Sequence, residues 1–166
     1  MDIVIEPMKP ESEAEIEGKG YVHWKSWQEA YAGLIDLQYL KETVTLEKCV
    51  ETARRYPDNI LLAKDGERVV GFAAYGPYRD DSLPETGELY AIYILKEYYG
   101  TGVGPMLLGT VLGKLSRYDK VALWVLKGNE RAIHFYQEYG FEFDGAEQTI
   151  KLGTDKTELR MVFVED

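Results

Sequence analysis

The stretch Glu88-Leu-Tyr-Ala-Ile-Tyr-Ile-Leu-Lys-Glu-Tyr-Tyr-Gly-Thr-Gly-Val-Gly104 decides the fold. Its first half, Leu89 to Leu95, is almost wholly apolar, which reads as a strand covered on both faces in the middle of a sheet. The second half breaks into Gly100, Gly102 and Gly104. Beyond it Leu108, Val111, Leu112 and Leu115 form one stripe of a helix, with Pro105 suited to its first position. A strand that turns through glycines into a helix brings unpaired amides and the positive end of a helix dipole to one point, where phosphate can approach the backbone. The same glycines also suit a tight turn with no ligand. Two specific phosphate loops are excluded by the residues themselves. A P-loop needs Gly-Lys-Ser/Thr, but Gly104 is followed by Pro105 and Met106. A dinucleotide fingerprint needs a third glycine at 105 and an acidic residue closing the next strand, whereas Asp119 precedes its strand.

Working outward toward the N-terminus, Ile3 to Ile5 form a short strand that stops at Pro7. Trp24, Trp27, Tyr31 and Leu34 recur at helical spacing and predict a helix ending near Gly33. Leu46, Cys49, Val50 and Ala53 mark a second helix after the capping candidates Thr43 and Thr45, with Pro57 limiting its length. Cys49 sits on that buried stripe, so it reads as packing rather than as a nucleophile. Ile60 to Ala63 and Val69 to Tyr75 are strands of a hairpin turned at Asp65-Gly66, and Gly76 to Thr86 is a loop.

Toward the C-terminus Val121, Leu123 and Val125 alternate as a strand. Asn129 then caps a helix in which Ala132, Phe135, Tyr136 and Tyr139 share a face, and Gly140 ends it. Phe141 to Ile150 and Leu159 to Val164 read as strands joined around Gly153. Strands mixed with helices, with a hairpin near each end, imply an α/β sheet that is only partly parallel.

Length and composition bound the function. The 166 residues suit one domain, residues 1–166, and 45% hydrophobic with 29% charged residues is the balance of a globular chain. The formal charge of -10 repels a nucleic-acid backbone and no basic patch offsets it, so no nucleic-acid partner is expected. A single cysteine rules out an intrachain disulfide. The N-terminus has no apolar run long enough for a signal peptide or a membrane span, so the chain reads as cytoplasmic, without a membrane partner.

The run from Glu88 to Gly104, taken with Asn129-Glu-Arg-Ala-Ile-His-Phe-Tyr-Gln-Glu-Tyr-Gly-Phe141, resembles the two signature regions of the GNAT N-acetyltransferase superfamily. The order of elements matches over most of the chain. The resemblance implies a mixed, partly parallel sheet of six to seven strands with about four main helices, splayed between the strand at 88–94 and the strand at 121–126. It also implies transfer of an acetyl group from acetyl-CoA to a primary amine, by direct attack and without a metal; among the acceptors that such a fold can take, the acidic net charge favours the amine of a small cationic molecule. Backbone groups of Ile92, Tyr93 and Ile94 would pair with the pantetheine arm as an added strand would. Gly100, Thr101, Gly102, Val103 and Gly104 would hold the pyrophosphate, and Asn129 would contact the arm from the far side of the split. The chain departs from the family at Tyr99, where Gln or Arg is frequent, and at Pro105, which lacks an N–H.

By the same resemblance Glu88 is the candidate base for the substrate proton; otherwise it is an exposed strand-end residue and water serves as base. Tyr136 matches the tyrosine that faces the coenzyme sulfur, although helical spacing alone equally suits a core aromatic. Trp27 and Tyr31, with Trp24, border the acceptor region and suit an apolar or cationic group. His134 and His23 carry no catalytic signal, and Asp80, Asp81 and Glu85 read as a solvated loop. A non-catalytic acyl-CoA-binding domain is the alternative, with retention of Glu88 and Tyr136 favouring the enzyme. The exposed aromatics are compatible with a homodimer.

Overall fold

The structure, a computed structural model, describes residues 1–164. A seven-stranded sheet runs in the order β1-β2-β3-β4-β5-β7-β6. β1 (Ile3–Pro7), β2 (Ile60–Asp65), β3 (Arg68–Pro77) and β4 (Thr86–Ile94) form an antiparallel half. β5 (Lys120–Leu126) joins β4 in parallel, then pairs antiparallel with β7 (Thr154–Val164), which carries the edge strand β6 (Glu142–Leu152). The four main helices expected from the sequence are α1 (Glu13–Ala30), α3 (Leu46–Arg55), α4 (Val103–Lys114) and α5 (Glu130–Tyr139); a fifth, α2 (Leu37–Thr43), is short and was not foreseen.

Local signals set most boundaries. The Ser12 hydroxyl accepts from the Glu15 amide at the start of α1, and the Thr45 hydroxyl accepts from the Lys48 amide at the start of α3, both at 3.2 Å. Gly66 takes a φ of 62° in the β2–β3 turn. The boundary of α1 differs from the expectation. It ends at Ala30, with the Tyr31 amide bonded back to the Trp27 carbonyl, so Leu34 lies beyond the helix. Leu34 packs instead with Ile35, Leu40 and Leu126 in a small cluster that also holds Trp27 and Tyr31.

Helix α1 is anchored by glycine. A Cβ at Gly20 would lie 2.6 Å from the Val50 Cα, and one at Gly18 2.6 Å from a Val69 methyl, so α1 lies directly against α3 and β3. Mid-helix glycine costs about 1 kcal/mol in propensity, and this close approach offsets it. Cys49 is buried at the same interface, where burial pushes its thiol up to about 11, in keeping with the packing reading. Opposite it, Lys19 is buried with its Nζ 4.4 Å from the centroid of the Phe72 ring, and desolvation pushes its pKa down to about 8.

Gly20→Ala should therefore destabilise the protein by about 1–3 kcal/mol through overpacking, the opposite of the gain that propensity alone would give. Urea unfolding measures it, and a stabilised variant would contradict the close contact.

Candidate active site

β4 and β5 pair only through Thr86–Glu88 and Lys120–Ala122. At that point β4 bulges: Ala74 and Tyr75 of β3 oppose Ala91 and Leu89, leaving Tyr90 as an extra residue. A bulge bends and twists its strand, and here β4 diverges from β5. The opening is a cavity of about 1210 Å³, walled by Leu89–Ile94 on one side and Trp124–Leu126 on the other, with α1, α5 and the glycine loop closing it. Residues Tyr90 to Ile94 are accordingly half-buried rather than covered on both faces as the apolar run suggested, because one flank borders the cavity.

Backbone direction divides the three candidate strand residues. The Leu95 amide bonds to the Val70 carbonyl, and the Tyr93 carbonyl oxygen lies over Gly71, so residues 93 and 95 turn their polar groups to β3. Strand alternation then turns the amides and carbonyls of Ile92 and Ile94 toward the opening. Tyr93 contributes its side chain to the cavity wall instead.

A single 3-10 turn, Lys96–Tyr98, leads from β4 into the glycine loop. Gly100 and Gly102 have φ of 75° and 92°, and a Cβ at either would meet nothing within 4 Å. Their role is conformational, and the surface above them is open. Gly104 differs: a Cβ there would lie 3.1 Å from the Phe135 ring and 3.3 Å from Ile94, so it is needed for packing. Helix α4 begins at Val103, making Pro105 its third residue and not its first as expected. The amides of Val103 and Gly104, which a helix cannot pair internally, remain as donors for an anion. The Val103 side chain is fully buried, and the Thr101 hydroxyl is engaged by the Tyr98 carbonyl at 2.6 Å. Neither side chain faces the cavity, whose loop lining is Gly100, Gly102 and Gly104.

The cavity brings together Glu88, Tyr136, Trp27, Tyr31 and Asn129. Asn129 caps α5, its side-chain oxygen accepting from the Ala132 amide at 3.4 Å. The Tyr136 ring packs at 5.4 Å from Phe135 and 5.8 Å from Phe141, and burial, with nearby Tyr31, raises its pKa well above that of a free phenol. Its phenol is thus held in the neutral form. The Tyr31 and Tyr93 hydroxyls are 3.1 Å apart, and Trp27 meets Tyr31 edge-on at 4.8 Å. Trp24 packs instead against Tyr21 and is not part of the wall.

Glu88 is 1% exposed, contrary to an exposed strand-end position. It is held by Arg79 of the β3–β4 loop. One oxygen accepts from the Arg79 amide at 3.2 Å and Nε at 3.3 Å, and the other accepts from Nη2 at 2.7 Å. Sequence reasoning missed Arg79, since nothing in a loop arginine marks its partner. It also missed Arg131, whose guanidinium lies over the Tyr99 ring at 3.2 Å and puts a cation beside the glycine loop where Tyr99 supplies none. Glu158 of β7 likewise lines the cavity, its carboxylate accepting from the Gln148 side-chain Nε2 at 2.8 Å.

His134 is exposed beside Glu138. His23 is half-buried. Its ring stacks on Tyr93 at 6.2 Å and 10°, and burial, with nearby Lys19, pushes its pKa down to about 4. Among the described residues no three His, Cys, Asp or Glu side chains are grouped as for a metal ion, and no helix is long and apolar enough to cross a membrane.

The model of the acetyltransferase (GNAT) family matches residues 21–141. The uncharacterized N-acetyltransferase YuaI of Bacillus subtilis is 33% identical over 131 residues, covering 77% of this chain and 75% of that one. The spermine/spermidine N(1)-acetyltransferase of the same organism is 31% identical over 117 residues, covering 66% and 74%. The fold is similar to that of the PaiA N-acetyltransferase from Thermoplasma acidophilum in complex with coenzyme A, with a TM-score of 0.72 at 22% identity over 99% of this chain and 100% of the other.

The lowered pKa of His23 sets a pH dependence. Between pH 6.5 and about 4 the unfolded chain takes up a proton that the folded imidazole refuses, so stability falls as pH falls through that window. The loss by pH 4.5 should reach up to about 2.5 kcal/mol. His23→Phe, which retains the stacking, should lose less stability than wild type between pH 7 and 4.5. Equal losses in urea unfolding would show that His23 titrates normally.

Proposed function

The chain belongs to the GNAT family of acetyltransferases, and on that footing we propose that residues 1–166, as one domain, transfer an acetyl group from acetyl-CoA to the primary amine of a small cationic molecule. The observation that carries this reading is the parted strand pair. Backbone groups of Ile92 and Ile94 on one flank and Asn129 on the other suit an extended amide-bearing chain. Gly100 to Gly104, with Arg131 nearby, suit a pyrophosphate at one end. The other end is acidic and aromatic: Glu88, Glu158, Trp27 and Tyr31 suit an ammonium group. The resemblance to a relative named for spermine and spermidine points the same way.

An acceptor ammonium with a pKa near 10.4 is about 0.1% neutral at pH 7.4, so its proton must leave before attack. Glu88 is the base in this reading, taking that proton directly or through water. The freed lone pair attacks the thioester carbonyl, and strand amides bordering the split stabilise the oxyanion. Collapse breaks the carbon–sulfur bond, and the Tyr136 phenol protonates the departing thiolate. Burial keeps Tyr136 protonated until then.

Acetyl-CoA should raise the melting temperature by mass action, and Gly102→Val, which forces a β-branched residue to positive φ at the loop, should abolish the shift. An unshifted wild type at millimolar acetyl-CoA would overturn the donor assignment. Tyr136→Phe should cost about ten- to a thousandfold in kcat while keeping the thermal shift, and Glu88→Gln should depress turnover most near neutral pH. Wild-type turnover in both variants, measured by thiol release, would remove these residues from the mechanism.

A further inference from the structure

The pairing of Glu88 is asymmetric. Its carboxylate is 2% exposed and fixed in a sheet strand, whereas the Arg79 side chain that grips it is 63% exposed and rises from a loop. The anion cannot move, but the cation can. In the same pose the Arg79 guanidinium also lies against the face of Tyr90, 4.6 Å from the ring centroid, a contact that does not depend on the carboxylate. Among the described residues lining the cavity, Lys96 and Arg131 are at the glycine-loop end, so Arg79 is the cation of the acceptor end, facing Glu88 and Glu158. It therefore occupies the position that an acceptor ammonium would need. Removing a cation from a buried carboxylate without replacement is strongly unfavourable, so Arg79 leaves readily only when another cation arrives.

We propose that Arg79 is a displaceable resident cation: the ammonium of a cationic acceptor takes its place against Glu88, making Arg79 the residue that sets selectivity for charged amines. This rests on amine acetylation as the activity of the cavity. The exchange also delivers the substrate proton to its base. Once the ammonium has replaced the guanidinium, its proton passes to a Glu88 oxygen, leaving a neutral carboxylic acid and a neutral amine whose lone pair is free for the thioester. While Arg79 remains, both Glu88 oxygens are occupied.

The test is calorimetric titration of spermidine into wild type and Arg79→Ala in the presence of CoA, alongside steady-state kinetics. The variant should bind spermidine at least about fivefold more tightly, since the ligand no longer competes with a tethered cation. The KM for spermidine should fall in parallel and that for acetyl-CoA should not. Added methylguanidinium should compete with spermidine in the variant and return its Kd toward the wild-type value, which a merely structural arginine would not produce. Unchanged or weaker spermidine binding in a variant with wild-type melting temperature and acetyl-CoA KM overturns the proposal, as does absence of binding in both proteins. Should Arg79→Ala fail to fold, Arg79→Lys keeps the charge but gives up the two-pronged grip and should bind spermidine more tightly than wild type; no gain there overturns the proposal. Exchange seen by calorimetry without any acetyl transfer would refute the activity and leave the exchange standing. Transfer with no response to Arg79 would do the reverse.

Discussion

Every amide and carbonyl inside a sheet has to find a partner, and in this chain β4 loses one flank of partners after Glu88. The remaining architecture is arranged around that vacancy in the ladder. β5 keeps its other edge satisfied by seven register pairs with β7, so the separation does not unravel the C-terminal half. β4 is held on its far side by β3, through a register that absorbs the extra residue at Tyr90. The polar groups turned into the split can then serve a ligand while the hydrophobic core beneath, from Leu62 and Phe72 to Leu107 and Met161, remains closed.

The two ends of the cavity differ in electrostatic character, and local structure explains the difference. At one end a helix begins at a left-handed glycine, with an arginine stacked nearby on Tyr99. At the other, carboxylates from β4 and β7 face an aromatic wall built by the last turn of α1. The middle is lined by phenols and apolar strand residues. Burial there favours neutral forms: Tyr31, Tyr93 and Tyr136 all hold their protons more tightly than free tyrosine. His23 beneath them resists protonation for the same reason.

Much of this was legible in the sequence because the signals were local. The strand-to-glycine-to-helix run, the caps at Thr45 and Asn129 and the stop at Gly140 each depend on residues a few positions apart, and each stands where expected. The short helix Leu37–Thr43 was missed because it buries only Leu40 and shows no stripe. β7 begins at Thr154, earlier than the apolar alternation from Leu159 implied, because β6 and β7 extend as a hairpin with little buried surface to impose alternation. The contacts of Arg79 with Glu88 and of Arg131 with Tyr99 join residues from different elements, and no periodicity encodes them. Likewise nothing in the sequence distinguished the packing glycine at 104 from the open ones at 100 and 102.

Helix α1 carries two kinds of constraint in series. Through Gly18 and Gly20 its first half is locked onto β3 and α3, where almost any substitution collides. About two turns later, from Trp27 onward, its side chains face the cavity. The glycine loop and Tyr136 hang from β4 and α5, yet the end of α1 reaches that side as well, where the Lys96 amide donates to the Glu29 carboxylate at 3.4 Å. Residues 27–35 therefore carry both constraints at once: Trp27 and Tyr31 shape the cavity wall, while Ile35 is buried and the Gln28 side chain donates to the Leu40 and Val44 carbonyls, so a change in that wall is also felt by the packing behind it.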